Sequence, residues 1–369
     1  MIIAGMGTAV PEYSVTQKDA AEVAGKLCCA TEAERQWLRD VYEASGVQRR
    51  HSVLLNGHDG PATERQSFVD IENQTDPLGP TLSERMRRYE SAAGPLATRA
   101  AAAALDDAAV PANQISHLIT VSCTGFSAPG FDFDIIKALS LSSAIARTHI
   151  GFMGCHGALN GLRVANAFAQ SDPSACVLLC AVELCSLHHY FGWDLEKIVA
   201  NALFADGAAA LVGTAQVTER ATNGSHRSLW RVIAQGSFML PETERAMTWR
   251  IADHGFEMTL FRKVPNLIHK HLGPWLTEWL RSIGLSIGDV RSWAIHPGGP
   301  RIVSACANAA GIADELLSDS RAVLEQFGNM SSPTVLFLLD RFRRRQAPRP
   351  CVALGFGPGI VVEAALIGD

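Results

Sequence analysis

The stretch GFMGCHGALNGLRVANAFAQ, residues 151–170, has a counterpart late in the chain, FGNMSSPTVLFLLDRF, residues 327–342. Each is a turn of small residues running straight into a segment that is small or apolar nearly all round. Such a segment is expected to be a helix buried on every side rather than along one stripe. Their surroundings correspond as well. HLITVSC (117–123) is a β-branched run stopping at a small, polar turn before the first helix, and SWAIHPGG (292–299) stands in the same relation to the second. ACVLLCAVEL (175–184) and GAAALVG (207–213) supply strands after the first helix, and CVALGFGPG (351–359) and GIVVEAALIG (359–368) supply them after the second.

The spacings agree. Cys123 precedes Cys155 by 32 residues and His296 precedes Asn329 by 33, while Glu183 follows Cys155 by 28 and Gly357 follows Asn329 by 28. An internal duplication accounts for this, with a join near residues 214–228 and halves of 1–220 and 221–369. Duplicated β/α halves can set their sheets side by side and bury one helix from each between them. Cys155 and Asn329 then occupy equivalent helix starts, and His296 ends a strand beside them.

The remaining features are those of an ordinary folded chain. Of 369 residues, 47% are hydrophobic and 19% charged, and no apolar run reaches the length of a membrane span. The N-terminal MIIAGMGTAVPEYSV lacks a basic segment before an apolar core, so a cytoplasmic protein is expected. A net charge of −5 offers nothing to nucleic acid, and the basic run Arg341 to Arg345 ends an apolar helix, where cations suit the dipole. Residues 56–80 form a polar, Gly/Pro-rich excursion. A capping box of Thr81 and Glu84 then opens a helix running through Ala104, broken at Gly94-Pro95.

Nine cysteines, odd in number and irregular in spacing, read as reduced thiols. Cys28, Cys29, Cys176, Cys180, Cys306 and Cys351 lie in apolar context and are expected to be inert. Cys155 differs, because Gly154 and Gly157 flank it and allow a sharp turn that presents the thiol. At a helix start its thiolate gains from the dipole and from unpaired N–H groups, and a nearby histidine deepens this by forming an ion pair. Such a thiolate takes an acyl group from a thioester. Loss of carbon dioxide from a malonyl thioester then yields a carbon nucleophile if donors hold the enolate oxygen, and a histidine Nε2–H and an asparagine amide are suitable donors. By position alone His296 could equally be a turn residue and Asn329 a helix cap. His156 reads as structural. Cys185 with His188 or His189 lacks a second ligand pair, so no metal site is expected.

With GFMGCHGALNGL, ALFADGAAALVG, WAIHPGGP, GNMSSPTVLFLLD and GFGPGIVVE in this order, the chain resembles the type III polyketide synthases, the chalcone and stilbene synthase family, along its whole length. SCTGF and the pair MTW and GFEM look like the bacterial branch. The resemblance implies an α/β thiolase-like fold of five layers, αβαβα, with two mixed sheets and buried central helices. It implies an acyltransferase that loads an acyl-CoA starter on Cys155, extends it with malonyl-CoA beside His296 and Asn329, and cyclises the chain to a pyrone, resorcinol or phloroglucinol. Phe204 matches one aromatic gatekeeper of the family, and the second falls on Met258. Cavity positions fall on Cys185, His188 and Trp249. A hydrogen-bonded serine, threonine and glutamate that steers ring closure in the family matches at Ser331 and Glu183, whereas the threonine position reads Cys123. The family's CoA-gripping basic residues do not line up, leaving Arg301, with Gly298 and Gly299, as the expected cofactor contact. No permanently bound cofactor and no metal is implied; a homodimer is, and an acyl carrier protein could deliver the starter. The rival readings are a single-round ketoacyl synthase and a non-catalytic acyl-CoA-binding homologue.

Overall fold

Residues 176–184 and 206–214 carry no polar alternation, and both form strands buried along their entire length, as strands covered on both faces must be. The computed structural model describes residues 1–66, 68–69, 76–216 and 229–369, so most of the expected join between halves lies outside the described residues.

In chain order the first half contains β1 (Ile2–Ala9), β2 (Ser14–Thr16), α1 (Gln17–Cys28), α2 (Glu32–Glu43), β3 (Arg49–His51), α3 (Leu82–Ala108), β4 (His117–Ser122), α4 (Phe131–Ala138), β5 (Ala146–Gly151), α5 (Gly157–Ser171), β6 (Cys176–Leu184), α6 (Leu195–Leu203) and β7 (Asp206–Thr214). The second contains β8 (Arg231–Met239), β9 (Met247–Ala252), β10 (Gly255–Leu260), α7 (Val264–Ser282), β11 (Ser292–Ile295), α8 (Pro300–Ala310), α9 (Ser318–Phe327), α10 (Pro333–Arg344), β12 (Cys351–Gly357) and β13 (Val361–Gly368).

The duplication is visible in the strand order, β11-β12-β13-β8-β1-β7-β6-β4-β5. Outward from the centre, β1-β7-β6-β4 and β8-β13-β12-β11 repeat one pattern. Two antiparallel neighbours are followed by a parallel pair, β4 with β6 and β11 with β12. The two mixed sheets expected from the resemblance are joined into one nine-stranded mixed sheet, because β1 and β8 share the pair Ile2 and Arg231 and the flanking bonds Ile3 N–H to Trp230 O and Val232 N–H to Met1 O, each within 2.9 Å. Hydrogen bonding therefore runs from one half-sheet into the other.

Between them lie α5 and α10. Leu159, Leu162 and Ala165 of α5 share one buried core with Val335, Leu336, Leu338 and Leu339 of α10, at roughly 1.5–3 kcal/mol for each large side chain withdrawn from water. The outer layers are α3 and α4 on one side and α7 and α8 on the other, each over its own core.

The helix from Thr81 keeps its capping box but does not break at Gly94-Pro95; it runs on to Ala108. The missing proline donor is outweighed by the burial of its alanine face on β1, β6 and β7. Gly94 has a packing role, since a methyl there would meet Asp134 Oδ2 at 2.0 Å. β1 comes equally close to this helix, for a Cβ on Gly7 would lie 2.4 Å from Ala100 O and Ala104 N. Gly7→Val is expected to destabilise the protein by about 3 kcal/mol or more, read as a lower urea midpoint at unchanged slope; an unchanged midpoint would show that helix and strand can separate at no cost.

Candidate active site

Cys155 sits in a 3-10 turn, residues 154–156, that leads into α5. Gly154 turns the chain with φ of +74°, and a side chain there would strike Pro358 Cδ at 2.3 Å, so the glycine is required by backbone and by space. The equivalent turn before α10 is fastened to the other half. Asn329 N–H bonds to Leu203 O at 2.8 Å and Ala205 N–H to Asn329 O at 2.9 Å, a short parallel bridge tying Asn329 to the Phe204 segment. The Asn329 Oδ1 accepts the Ser331 backbone N–H at 2.8 Å, which turns the amide nitrogen toward the Cys155 sulfur. Ser331 and Asn329 both face the Cys155 sulfur and favour its thiolate.

His296 follows β11, its N–H bonded to Leu354 O at 2.8 Å. Gly298 N–H returns to His296 O at 3.0 Å and makes the tight turn. The ring is buried and both of its nitrogens lack a partner. It lies in the field of His156, the residue after Cys155, whose ring packs on Gly357 of β12 and whose Nδ1 bonds Asn160. Turn, strand end and helix start thus converge from opposite halves.

The resting charges differ from the expected ion pair. Burial pushes the Cys155 thiol up to about 12 and, together with the His156 charge, brings His296 down to about 3. Both groups are therefore neutral at rest. A neutral His296 also keeps one N–H free, which is what a donor to a developing enolate needs.

A cavity of about 180 Å³ adjoins Cys155. Cys123, Cys185, His188, Phe204, Trp249, Met258 and Ser331 line it; Glu183 lies behind Cys123 and Thr124, and His296 and Asn329 are not on its wall. Met258 pairs with Trp249 across the β9–β10 hairpin. The Trp249 indole is turned toward the end of β4, donating to Cys123 O at 2.8 Å and meeting His188 and Phe256 edge to face. His188 accepts the Phe256 N–H at Nδ1 (2.9 Å) and donates from Nε2 to Thr124 O (2.6 Å), so its tautomer is fixed, and burial brings it down to about 3. An aromatic and imidazole group closes this side of the cavity.

Glu183 does not pair with Ser331. Its carboxylate accepts Thr124 Oγ1 and Ser332 Oγ, each at 2.7 Å, and the Cys123 N–H at 2.9 Å. Thr124 thus supplies the hydroxyl that position 123 lacks, and the Cys123 sulfur instead accepts the Gly154 N–H at 3.0 Å, holding the turn that carries Cys155. Thr124 and Ser332 each sit beside a residue singled out from the sequence, and no pattern chooses between adjacent residues in a turn. A further buried carboxylate, Asp206, fastens the wall by accepting the Ser186 N–H, the Ser186 hydroxyl and the Val53 N–H within 2.8 Å. Arg301 is exposed on the first turn of α8, after Gly299.

The profile of the chalcone and stilbene synthases, N-terminal domain, matches residues 1–216, and that of the C-terminal domain matches residues 232–369. The chain belongs to the chalcone and stilbene synthase family. It is a type III polyketide synthase and hence an acyltransferase, with the thiolase-like fold of that family. Among its relatives is the alpha-pyrone synthesis polyketide synthase-like Pks18 of Mycobacterium tuberculosis, 33% identical over 99% of this chain and 90% of the other. Another is 1,3,6,8-tetrahydroxynaphthalene synthase of Streptomyces peucetius, 30% identical over 99% of this chain and 92% of the other. In three dimensions it is similar to PKS-I from the brown alga Ectocarpus siliculosus, with a TM-score of 0.91 and 31% identity over 100% of this chain and 98% of that one. Among the described residues no helix is long and apolar enough to cross a membrane.

The Glu183 network makes a prediction with a definite sign. Burial raises the carboxyl from 4.5 to about 6, opposed by its hydrogen bonds; stability from this group is full below the unfolded value and is lost as pH rises through the folded one. Ser332→Ala removes a donor to the charged form and raises the folded value further. The variant should lose about 1.5–3 kcal/mol, with the loss larger at about pH 8 than at about pH 5, as measured by denaturant unfolding at both. A loss independent of pH would mean that Glu183 is not the group affected.

Proposed function

We propose that the enzyme loads an acyl-CoA starter on Cys155, decarboxylates malonyl-CoA beside His296 and Asn329, repeats the condensation and closes the product to a pyrone, resorcinol or phloroglucinol. The observation that carries this reading is a thiol beside the cavity with the Asn329 amide directed at it, the amide oxygen being already engaged, together with a buried His296 ring whose nitrogens have no partner. The proton leaving Cys155 goes to His296, and the thiolate attacks the starter thioester, releasing CoA as its thiol. Once the sulfur is acylated, the Asn329 amide and the His296 N–H stabilise the enolate left when carbon dioxide departs, and that carbon attacks the enzyme-bound thioester, freeing the sulfur for reloading. No permanently bound cofactor enters the scheme. Phe204 and Met258 form the entrance, the methionine giving it an adjustable side. The two halves, 1–220 and 221–369, contribute Cys155 on one side and His296 with Asn329 on the other. A cytoplasmic homodimer fits this reading, with an acyl carrier protein as an optional starter donor.

The exposed Arg301 is assigned to the CoA phosphates, with Gly298 and Gly299 letting the pantetheine run close to the backbone.

Incubation with malonyl-CoA and a panel of acyl-CoA starters should give products heavier by two or more C2 units, read by mass spectrometry. A product that stops after one unit would favour the single-round synthase, and no product would favour the binding homologue. Cys155→Ala should abolish release of polyketide. Arg301→Glu should raise the KM for malonyl-CoA about tenfold, as expected for replacing a phosphate-binding cation by a repelling charge, with kcat retained; an unchanged KM removes Arg301 from the site.

A further inference from the structure

The wall of the main cavity is largely apolar, yet two arginines lie on it, Arg50 and Arg85, with only 8% and 1% of their surface exposed. A guanidinium withdrawn this far from water ordinarily faces a carboxylate, because its lost hydration must be replaced. Among the described residues neither arginine is ion-paired. Arg85, in the first turn of α3, donates from Nε to Pro80 O at 2.8 Å and from Nη1 to His189 O at 3.1 Å and to Leu187 O, and its guanidinium lies 5.5 Å from the centre of the Phe191 ring. Its Nη2 has no partner. Arg50 donates from Nη1 to Asn201 O at 2.5 Å and Phe204 O at 2.9 Å, capping the end of α6, and its Nε has no partner. Carbonyl dipoles orient both cations but carry no net charge to balance them.

The two arginines act on one region, since the His189 ring lies in the field of both and is held neutral by burial and by them. The other charged side chains on the wall, Lys197 and Glu257, pair with each other at 2.8 Å. This lobe therefore carries uncompensated positive charge inside an otherwise apolar cavity that also contains the nucleophile. We propose that the lobe is an anion subsite that takes a carboxylate borne at the end of the acyl chain away from the thioester, so that ω-carboxyacyl chains are preferred over plain alkyl ones. This rests on the reading of the cavity as the site of polyketide assembly. The carboxylate would accept the unused Nη2–H of Arg85 and supply the charge that Arg50 and Arg85 lack, whereas an alkyl terminus leaves both unpaired and a methyl ester keeps the size without the charge.

The test compares hexanoyl-CoA, adipoyl-CoA and the monomethyl ester of adipoyl-CoA as starters for the wild-type enzyme, each with labelled malonyl-CoA. The kcat/KM for adipoyl-CoA is expected to exceed that for its methyl ester by roughly tenfold or more, the size of a buried charge-assisted hydrogen bond. Arg85→Met should erase that preference while extension of hexanoyl-CoA continues, and Arg85→Lys should keep part of it. Equal or faster use of the methyl ester by the wild type overturns the proposal, and so does a preference that survives in Arg85→Met. The wild-type comparison decides the matter even where the variant does not fold. Failure of all three starters to be extended would instead overturn the assignment of the cavity to polyketide assembly.

Discussion

The whole arrangement depends on burying α5 and α10 together between two half-sheets. α10 is buried from Pro333 to Asp340, while α5 buries the side that carries Ala158, Leu159, Leu162 and Ala165 and, against the expectation of burial all round, leaves Ala167, Gln170 and Ser171 exposed near its end; the apolar surface of each still needs cover from both halves. Joining the halves at β1 and β8 solves this for both helices at once. It also fixes where their first turns lie. Cys155 at the start of one and Asn329 at the start of the other are side by side because the hydrophobic requirement of the helices leaves them no other place. His296 follows because β11 holds in its own half the place that β4 holds in the first.

Having made a dry interior, the fold must keep polar groups in it, and it does so in two distinct ways. Glu183, Asp206 and His188 have their donors or acceptors met by neighbouring backbone and hydroxyl groups, and these residues are scaffold for the cavity wall. His296, Arg85 and Arg50 are held in place by backbone bonds but retain unused side-chain capacity. A buried polar group left unsatisfied costs free energy, which is why these residues carry the two proposals made above. Cys155 lies between the sets. Its neutral resting state follows from the same dryness that would strengthen an ion pair once the proton has moved.

Much of the fold was legible because apolar periodicity and equal spacing are local signals. The strands at 117–122, 176–184 and 351–357, the two central helices and the capping box at Thr81 all stand where their patterns put them. Pro95 misled because an isolated proline argues for a break only while the helix is exposed, and this one gains more from covering β1 than it loses in one hydrogen bond. Ser331 misled differently. Sequence position identified a serine near Glu183, but in a turn adjacent side chains diverge, and it is Ser332 that reaches the carboxylate while Ser331 turns to the thiol.

The sequence by itself therefore determined the duplication, the burial of its central helices and the residues at their starts, since each is written in short-range pattern or motif. Tertiary structure alone decided the charge states of Cys155 and His296, the substitution of Thr124 and Ser332 into the Glu183 network, the direction of the Trp249 indole and the pairing of Arg50 with Arg85 on one wall. Those depend on burial and on which side chains from distant segments meet. Desolvation acts on what surrounds an atom, and no spacing along the chain records that.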